Sequence, residues 1–220
     1  MLVLAVDTST PAVTAGVVRL TDGAAETLSV RVVVDARLHA EILTPNILEC
    51  LAERDLAPTD LDAVVVGCGP GPFTGLRVGM ATAAAFGDAL GIPVHGVCSL
   101  DAIAAEIEDE PALVVITDAR RREIYWARYE NGIRVAGPDV CAPTILDITG
   151  ATAAAGSASH TALFDIPSRA VESPSPRGLI LAAREELTVG AIPAPLVPLY
   201  LRRPDAKTLD ERAAEKRARS

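Results

Sequence analysis

The chain opens on an apolar run, Leu2–Val6, which the polar turn Asp7-Thr8-Ser9-Thr10-Pro11 cuts short. A second apolar, β-branched run follows at Ala12–Leu20. After the turn Asp22-Gly23 comes Thr27–Val34, where Ser29 and Arg31 alternate with Val30 and Val32. Short runs joined by tight turns predict three antiparallel strands. Residues 35–54 change to a helical period, with Leu38, Ile42, Leu48 and Leu51 near one face and a kink expected at Pro45. Residues 61–67 predict a fourth strand, a second helix begins near Thr74 and ends at Gly91, and residues 94–97 predict a fifth strand. Residues 1–97 therefore read β-β-β-α-β-α-β.

Ser99 is expected to cap a helix over residues 100–108, and a lobe boundary is placed near residue 100. Strands are predicted at 113–117, 123–130 and 133–140, the last two separated by the turn signal Asn131-Gly132. Residues 141–173 show no readable period. A helix is predicted over 177–187 and an extended proline-rich stretch over 190–198. The pattern divides the chain into a first lobe (1–99), a second lobe (100–201) and a charged tail (202–220). The tail has too few apolar residues to pack and is expected to be disordered.

The densest punctuation lies at Gly67–Gly91. A turn, Gly69-Pro70-Gly71-Pro72, joins a buried-strand pattern to the second helix, in which Gly75, Gly79, Ala83, Gly87 and Gly91 recur every four residues. Such residues share a face. Each interior glycine costs about 1 kcal/mol against alanine, so a face stripped of side chains implies that another backbone lies close to it. Two packings satisfy this, a helix pressed on its own sheet or a helix pressed on a second protein; a phosphate cradle at the turn is the third reading of the stretch.

Half the residues are hydrophobic, which suits a globular chain, and no apolar run approaches the roughly 18 residues of a membrane span. The first residues lack the basic start of a signal peptide, so a cytoplasmic protein without membrane attachment is expected. The four cysteines (Cys50, Cys68, Cys98, Cys141) have no CxxC spacing and are expected as buried thiols. The net charge of −9 and an aromatic content of 3% argue against a dedicated nucleic-acid binder, which needs clustered cations and stacking platforms.

Asp7, Thr8 and Ser9 form the first candidate site. A carboxylate with hydroxyls at a turn suits a nucleotide phosphate and its magnesium, and equally suits a local turn satisfying its own backbone. His39, His95 and His160 lack the spacing of a metal site, so no metal is expected. No GxSxG elbow marks a hydrolase. His39 beside Glu41 is a candidate surface contact. Asp118-Ala119-Arg120-Arg121-Arg122 contains the basic cluster of the chain body, either a solvated turn or a phosphate contact.

Three stretches, LAVDTSTPAVTAGVV (4–18), HAEILTPNI (39–47) and GPGPFTGLRVG (69–79), together resemble the TsaB (YeaZ) family. SLDAIA (99–104), TDARRREIYWARY (117–129) and PLYLRRPDAK (198–207) fit the same family in order, with Pro72 standing where the family motif usually has serine. The resemblance implies an α/β, actin-like (ribonuclease H-like) fold of two lobes with a reduced second lobe. It implies no catalytic residues and no cofactor in this chain. The implied role is a scaffold that pairs with the transferase TsaD, joined by the ATPase TsaE, for threonylcarbamoylation of the adenosine beside the anticodon. The complex would use ATP with magnesium and reach tRNA mainly through the partners; in isolation a homodimer is the other candidate assembly. The partner interface would lie on the first-lobe helices, at Phe73, Gly75, Leu76, Gly79, Ala83, His39 and Ile42. Asp7-Thr8-Ser9 and Asp118 would be degenerate nucleotide loops, since neither turn has the glycine that lets backbone approach phosphate. Arg120, Arg121 and Arg122 are the candidate RNA contacts. The rival reading is an actin-like ATPase or kinase acting alone.

Overall fold

The structure is a computed structural model and describes residues 1–35 and 37–202; the expected disorder of the tail from residue 203 onward lies outside these. β1 (Leu2–Asp7) runs at the centre of a five-stranded sheet of order β3-β2-β1-β4-β5. β2 (Ala12–Thr21) pairs antiparallel with it, from Leu2 opposite Arg19 to Asp7 opposite Thr14, and β3 (Ala24–Val34) continues the meander at the edge. β4 (Ala63–Gly67) and β5 (Val94–Val97) add parallel strands after the crossovers through α1 (His39–Ala52) and α2 (Phe73–Leu90).

The unbroken apolar character of β1 and β4 has a direct cause: both faces of the sheet are covered. Leu4, Val6, Val13, Val17, Val64 and Val66 point to one side, against Leu43, Ile47 and Leu51 of α1 and Leu76 and Met80 of α2. Val3, Ala5, Val18, Leu20 and Val65 point to the other. There they meet α5 (Pro176–Ala182) and α6 (Arg184–Val189), through Leu179, Ile180, Ala183 and Leu187. The helix predicted over 177–187 is thus two short helices broken at Ala183. Both pack on the first sheet, although they belong to the second half of the chain. The two sheets fall on either side of residue 100, but the division at 99/100 assigns these helices to the wrong lobe.

The second sheet, of order β8-β7-β6-β9, comprises β6 (Ala112–Asp118), β7 (Ile124–Glu130), β8 (Ile133–Cys141) and β9 (Ala153–Gly156). One face packs Leu113, Val115, Tyr125, Ala127 and Tyr129 on Leu100 and Ile103 of α3 (Ser99–Ala104). The other buries Val114, Ile116 and Ile124 under connecting segments that supply Leu146, Ile148, Phe164 and Ile166, with α4 (Ala158–Thr161) nearby. Loops stand where the first lobe has long helices, which is the physical content of a reduced second lobe. The unreadable residues 141–173 make this covering.

α3 joins the lobes. Its Ile103 belongs to the second core while Ala102 belongs to the first, beside α5. A Cβ at Gly178 would overlap the Ala102 carbonyl, so the two helices approach at backbone distance. Ser175 caps α5 by accepting the Gly178 N–H at 2.9 Å. Ser99 does not cap α3 as expected: Cys98 holds the cap position, and the Ser99 hydroxyl is engaged elsewhere. Among the described residues no helix is long and apolar enough to cross a membrane.

The packing of α5 predicts that Ile180→Ala, which empties a fully buried site, lowers unfolding free energy by about 2–5 kcal/mol. Denaturant titration followed by tryptophan fluorescence measures it, because the single tryptophan, Trp126, lies in the second lobe. One transition is expected, not two.

Candidate functional site

The two lobes meet at a cleft of about 380 Å³. Its walls are the turn after β1 (Ser9, Thr10, Pro11), the start of α2 (Phe73, Thr74, Gly75), the turn after β6 (Asp118, Ala119, Arg120) and, from flanking segments, Arg37, His39 and Arg202. This is where an actin-like enzyme would hold a nucleotide, and where the sequence places Asp7, Thr8 and Ser9.

Asp7 and Thr8 lie beneath the cleft floor, and Ser9 helps to form it. Asp7 is fully buried, Thr8 and Ser9 nearly so. One Asp7 oxygen accepts the Ser9 N–H (2.8 Å) and the Ser9 hydroxyl (2.7 Å); the other accepts the Ser99 hydroxyl at 2.6 Å. Ser99 Oγ in turn accepts the Gly69 N–H at 3.2 Å. Burial pushes the Asp7 carboxyl above its ordinary range, and the hydrogen bonds from Ser99 and Ser9 and the nearby His39 offset part of that rise. Thr8 Oγ1 donates to the Gly75 carbonyl at 2.7 Å.

Glycines make this arrangement possible. A Cβ at Gly67 would overlap the Asp7 carboxylate, at Gly71 the Ser9 carbonyl, at Gly75 the Thr8 carbonyl and at Gly79 the Thr8 hydroxyl. Four glycines at four-residue spacing thus line a trough filled by residues 7–9 of the same chain. Gly75, Leu76, Gly79 and Ala83 are buried here, as is His39, whose Nε2 donates to the Thr10 carbonyl at 3.0 Å; Ile42 packs half-buried on the first core. The expected partner face is therefore an internal face. Its glycine spacing answers to the β1 turn, so it is not free to receive a second protein. Phe73 is half-buried, its ring 4.4 Å from that of Tyr200, and the Arg77 guanidinium reaches both rings.

Across the cleft, Asp118 Oδ1 accepts the Arg120 N–H at 2.7 Å. Arg120, Arg121 and Arg122 occupy three consecutive left-handed positions, with φ of 62°, 51° and 65°. This conformation costs an ordinary residue about 1–2 kcal/mol, and glycine or asparagine is usual there. Arg202 donates to the Ala119 carbonyl at 2.8 Å and pairs with Glu123 at 3.3 Å. The sequence pattern puts Arg202 in the charged tail and gives no sign of Arg37; no local pattern joins residues so far apart in the chain.

Hydrolase geometry is approached beside Asp118. Ser157 Oγ lies 2.9 Å from His160 Nδ1, while Asp118 Oδ1 is 3.7 Å from His160 Nε2. The second distance is too long for a hydrogen bond, so no third group orients the imidazole as a triad requires. All four cysteines are free; burial raises Cys68 to about 11 and Cys98 to about 12, which leaves both as inert thiols. Among the described residues no cluster could hold a metal ion.

A βββαβαβ lobe facing a reduced second lobe across a cleft defines an actin-like, two-lobed α/β protein. The model of the family described as TsaD, tRNA N6-adenosine threonylcarbamoyltransferase, matches residues 33–150. The structure of YeaZ from Pseudomonas aeruginosa superposes with a TM-score of 0.75 at 26% identity, covering 91% of this chain and 99% of that one. An uncharacterised protein of Mycobacterium tuberculosis is 60% identical over 94% of both chains. The tRNA threonylcarbamoyladenosine biosynthesis protein TsaB of Escherichia coli is 32% identical over 60% of this chain and 58% of its own length; that of Bacillus subtilis is 37% identical over 43% of each. The chain belongs to the TsaB/YeaZ family.

Two outcomes follow from the trough. Gly79→Leu is expected to unfold or strongly destabilise the isolated chain, which differential scanning calorimetry would register as a drop of several degrees or more in Tm. Asp7→Asn tests the buried carboxyl. A folded-state pKa above the unfolded value of 3.8 means the carboxyl favours folding while protonated, and that contribution is lost as pH rises through the folded pKa. Asp7→Asn loses an acceptor for these hydrogen bonds at every pH, so it should be less stable than wild type near pH 4, with a deficit that shrinks toward pH 8, read from denaturation midpoints across the range.

Proposed function

We propose that this chain acts in tRNA threonylcarbamoyladenosine biosynthesis as a non-catalytic subunit that pairs with a TsaD-type transferase. The pathway is the one named for its TsaB relatives. The observation that carries the non-catalytic part is the filled trough. Asp7, the residue best placed to hold a phosphate-bound cation, is sealed under the turn by Ser9, Ser99 and the glycines, so the first-lobe turn offers no carboxylate to the cleft, and Asp118 on the facing wall holds the Arg120 N–H. On this reading ATP and magnesium serve the complex through its other members, among them a TsaE-type ATPase, and most tRNA contact falls to the partners.

The pairing surface is the outer face of α1 and α2, opposite to the glycine trough. Leu48 is half exposed there, and Thr44, Ala81 and Ala85 are exposed with small side chains that let another helix approach. A TsaD-type subunit would itself present a related lobe, and two such helix pairs can form a four-helix contact. The reading of the chain as a solitary actin-like ATPase would need a cleft floor open to nucleotide.

Size-exclusion chromatography with light scattering, on the chain alone and mixed with TsaD of the same organism, tests the proposal. A one-to-one complex is expected. Ala81→Arg and Ala85→Arg should weaken it by at least about tenfold, leaving the isolated chain's stability within about 0.5 kcal/mol because both sites are exposed. No complex with wild type, or full pairing by both variants, overturns the assignment.

A further inference from the structure

The arginines at the cleft mouth remain to be explained. Arg120 lines the cleft together with Arg37 and Arg202, and Arg121 and Arg122 stand exposed just beyond it at the tip of the β6–β7 turn. Three arginines thus line one cleft, with two more next to them in sequence, in a chain whose net charge is −9. Among the described residues, the acidic groups at this rim include Asp118, which accepts the Arg120 backbone N–H, and Glu123, which pairs with Arg202. The tip is also the place where three residues in succession hold a left-handed backbone that glycine would adopt without strain. Turn stability alone favours glycine or asparagine at these positions.

We infer that this rim is a docking surface for the phosphate backbone of an RNA strand that lies across the cleft mouth. Guanidinium groups recognise phosphate by charge and by paired N–H donors. A free nucleotide fits less well, because it requires an enclosed floor with backbone donors, and residues 7–9 fill that floor. Groups spread along an exposed rim suit an extended polyanion. The inference rests on the proposed role in tRNA modification and adds a direct contact from this chain to the RNA.

The test is fluorescence anisotropy with labelled, unmodified tRNA between 50 and 200 mM salt, using the chain alone and the chain with its TsaD-type partner. Replacing Arg120, Arg121 and Arg122 by glutamine should weaken binding by about tenfold or more and flatten the slope of log K against log salt by roughly three, about one for each phosphate left without its guanidinium. Arg122→Gly separates function from structure: Tm should rise as the left-handed strain is relieved, while tRNA affinity falls. Unchanged affinity and slope in the triple variant overturn the inference. So does a fall in Tm that accompanies weaker binding, which would make the arginines structural, or arginine-dependent capture of ATP with no effect on tRNA. If wild type fails to pair with TsaD, the proposed function fails, yet arginine-dependent tRNA binding by the chain alone still supports the rim. Its absence in both arms overturns the rim as well.

Discussion

The Asp7 carboxylate cannot leave its place without dismantling the centre of the molecule. It ends β1, it holds the Ser9 turn through one oxygen, and through the other it holds Ser99 at the start of α3. Ser99 in turn meets Gly69 on the turn that begins α2. Three segments remote in sequence therefore converge on one buried acid. A buried polar group of this kind is costly unless satisfied, and here both oxygens have partners. The glycines at 67, 71, 75 and 79 are the steric condition for that convergence. They let the β1 turn sink until its backbone touches α2.

The same geometry explains what the chain could still do. With its floor closed, the cleft keeps a mouth lined by arginines, while the outer face of α1 and α2 stays lined with small exposed residues. The arginines sit mainly on the second lobe's β6–β7 turn, while the small exposed residues of α1 and α2 belong to the first lobe.

Much of the first lobe was legible because its physics is local. β1, β2 and β4 are unbroken apolar runs since the sheet is covered on both faces, and the period changes from two to near four at α1 and α2. The glycine spacing was legible as a demand for close approach, but not in its direction. A Cβ-free face looks the same whether Thr8 of the same chain or another protein fills it, and only the fold decides. The return of α5 and α6 to the first sheet was illegible for a similar reason: Leu179 and Ile180 announce an apolar face, not the sheet that receives it. Ser99 reads as a helix cap because serine before a helix usually is one; an acid ninety-two residues earlier in the chain has a stronger claim on its hydroxyl. Arg37 and Arg202 join the arginine rim by tertiary contact alone, which no spacing in the sequence encodes.

The segment Leu199–Arg202 has a mechanical meaning. Leu199 donates its N–H to the Cys68 carbonyl on the first lobe, and Arg202 grips the Ala119 carbonyl on the second, each at 2.8 Å. Three residue steps of backbone reach at most about 11 Å, and the arginine side chain adds only its own length. The two anchor points are therefore leashed: the lobes cannot gape further apart there without breaking one of these bonds. Enzymes of this architecture that open and shut around a substrate need such slack. This chain ties its two lobes together across the cleft mouth at these two points, and the tie favours the width seen here.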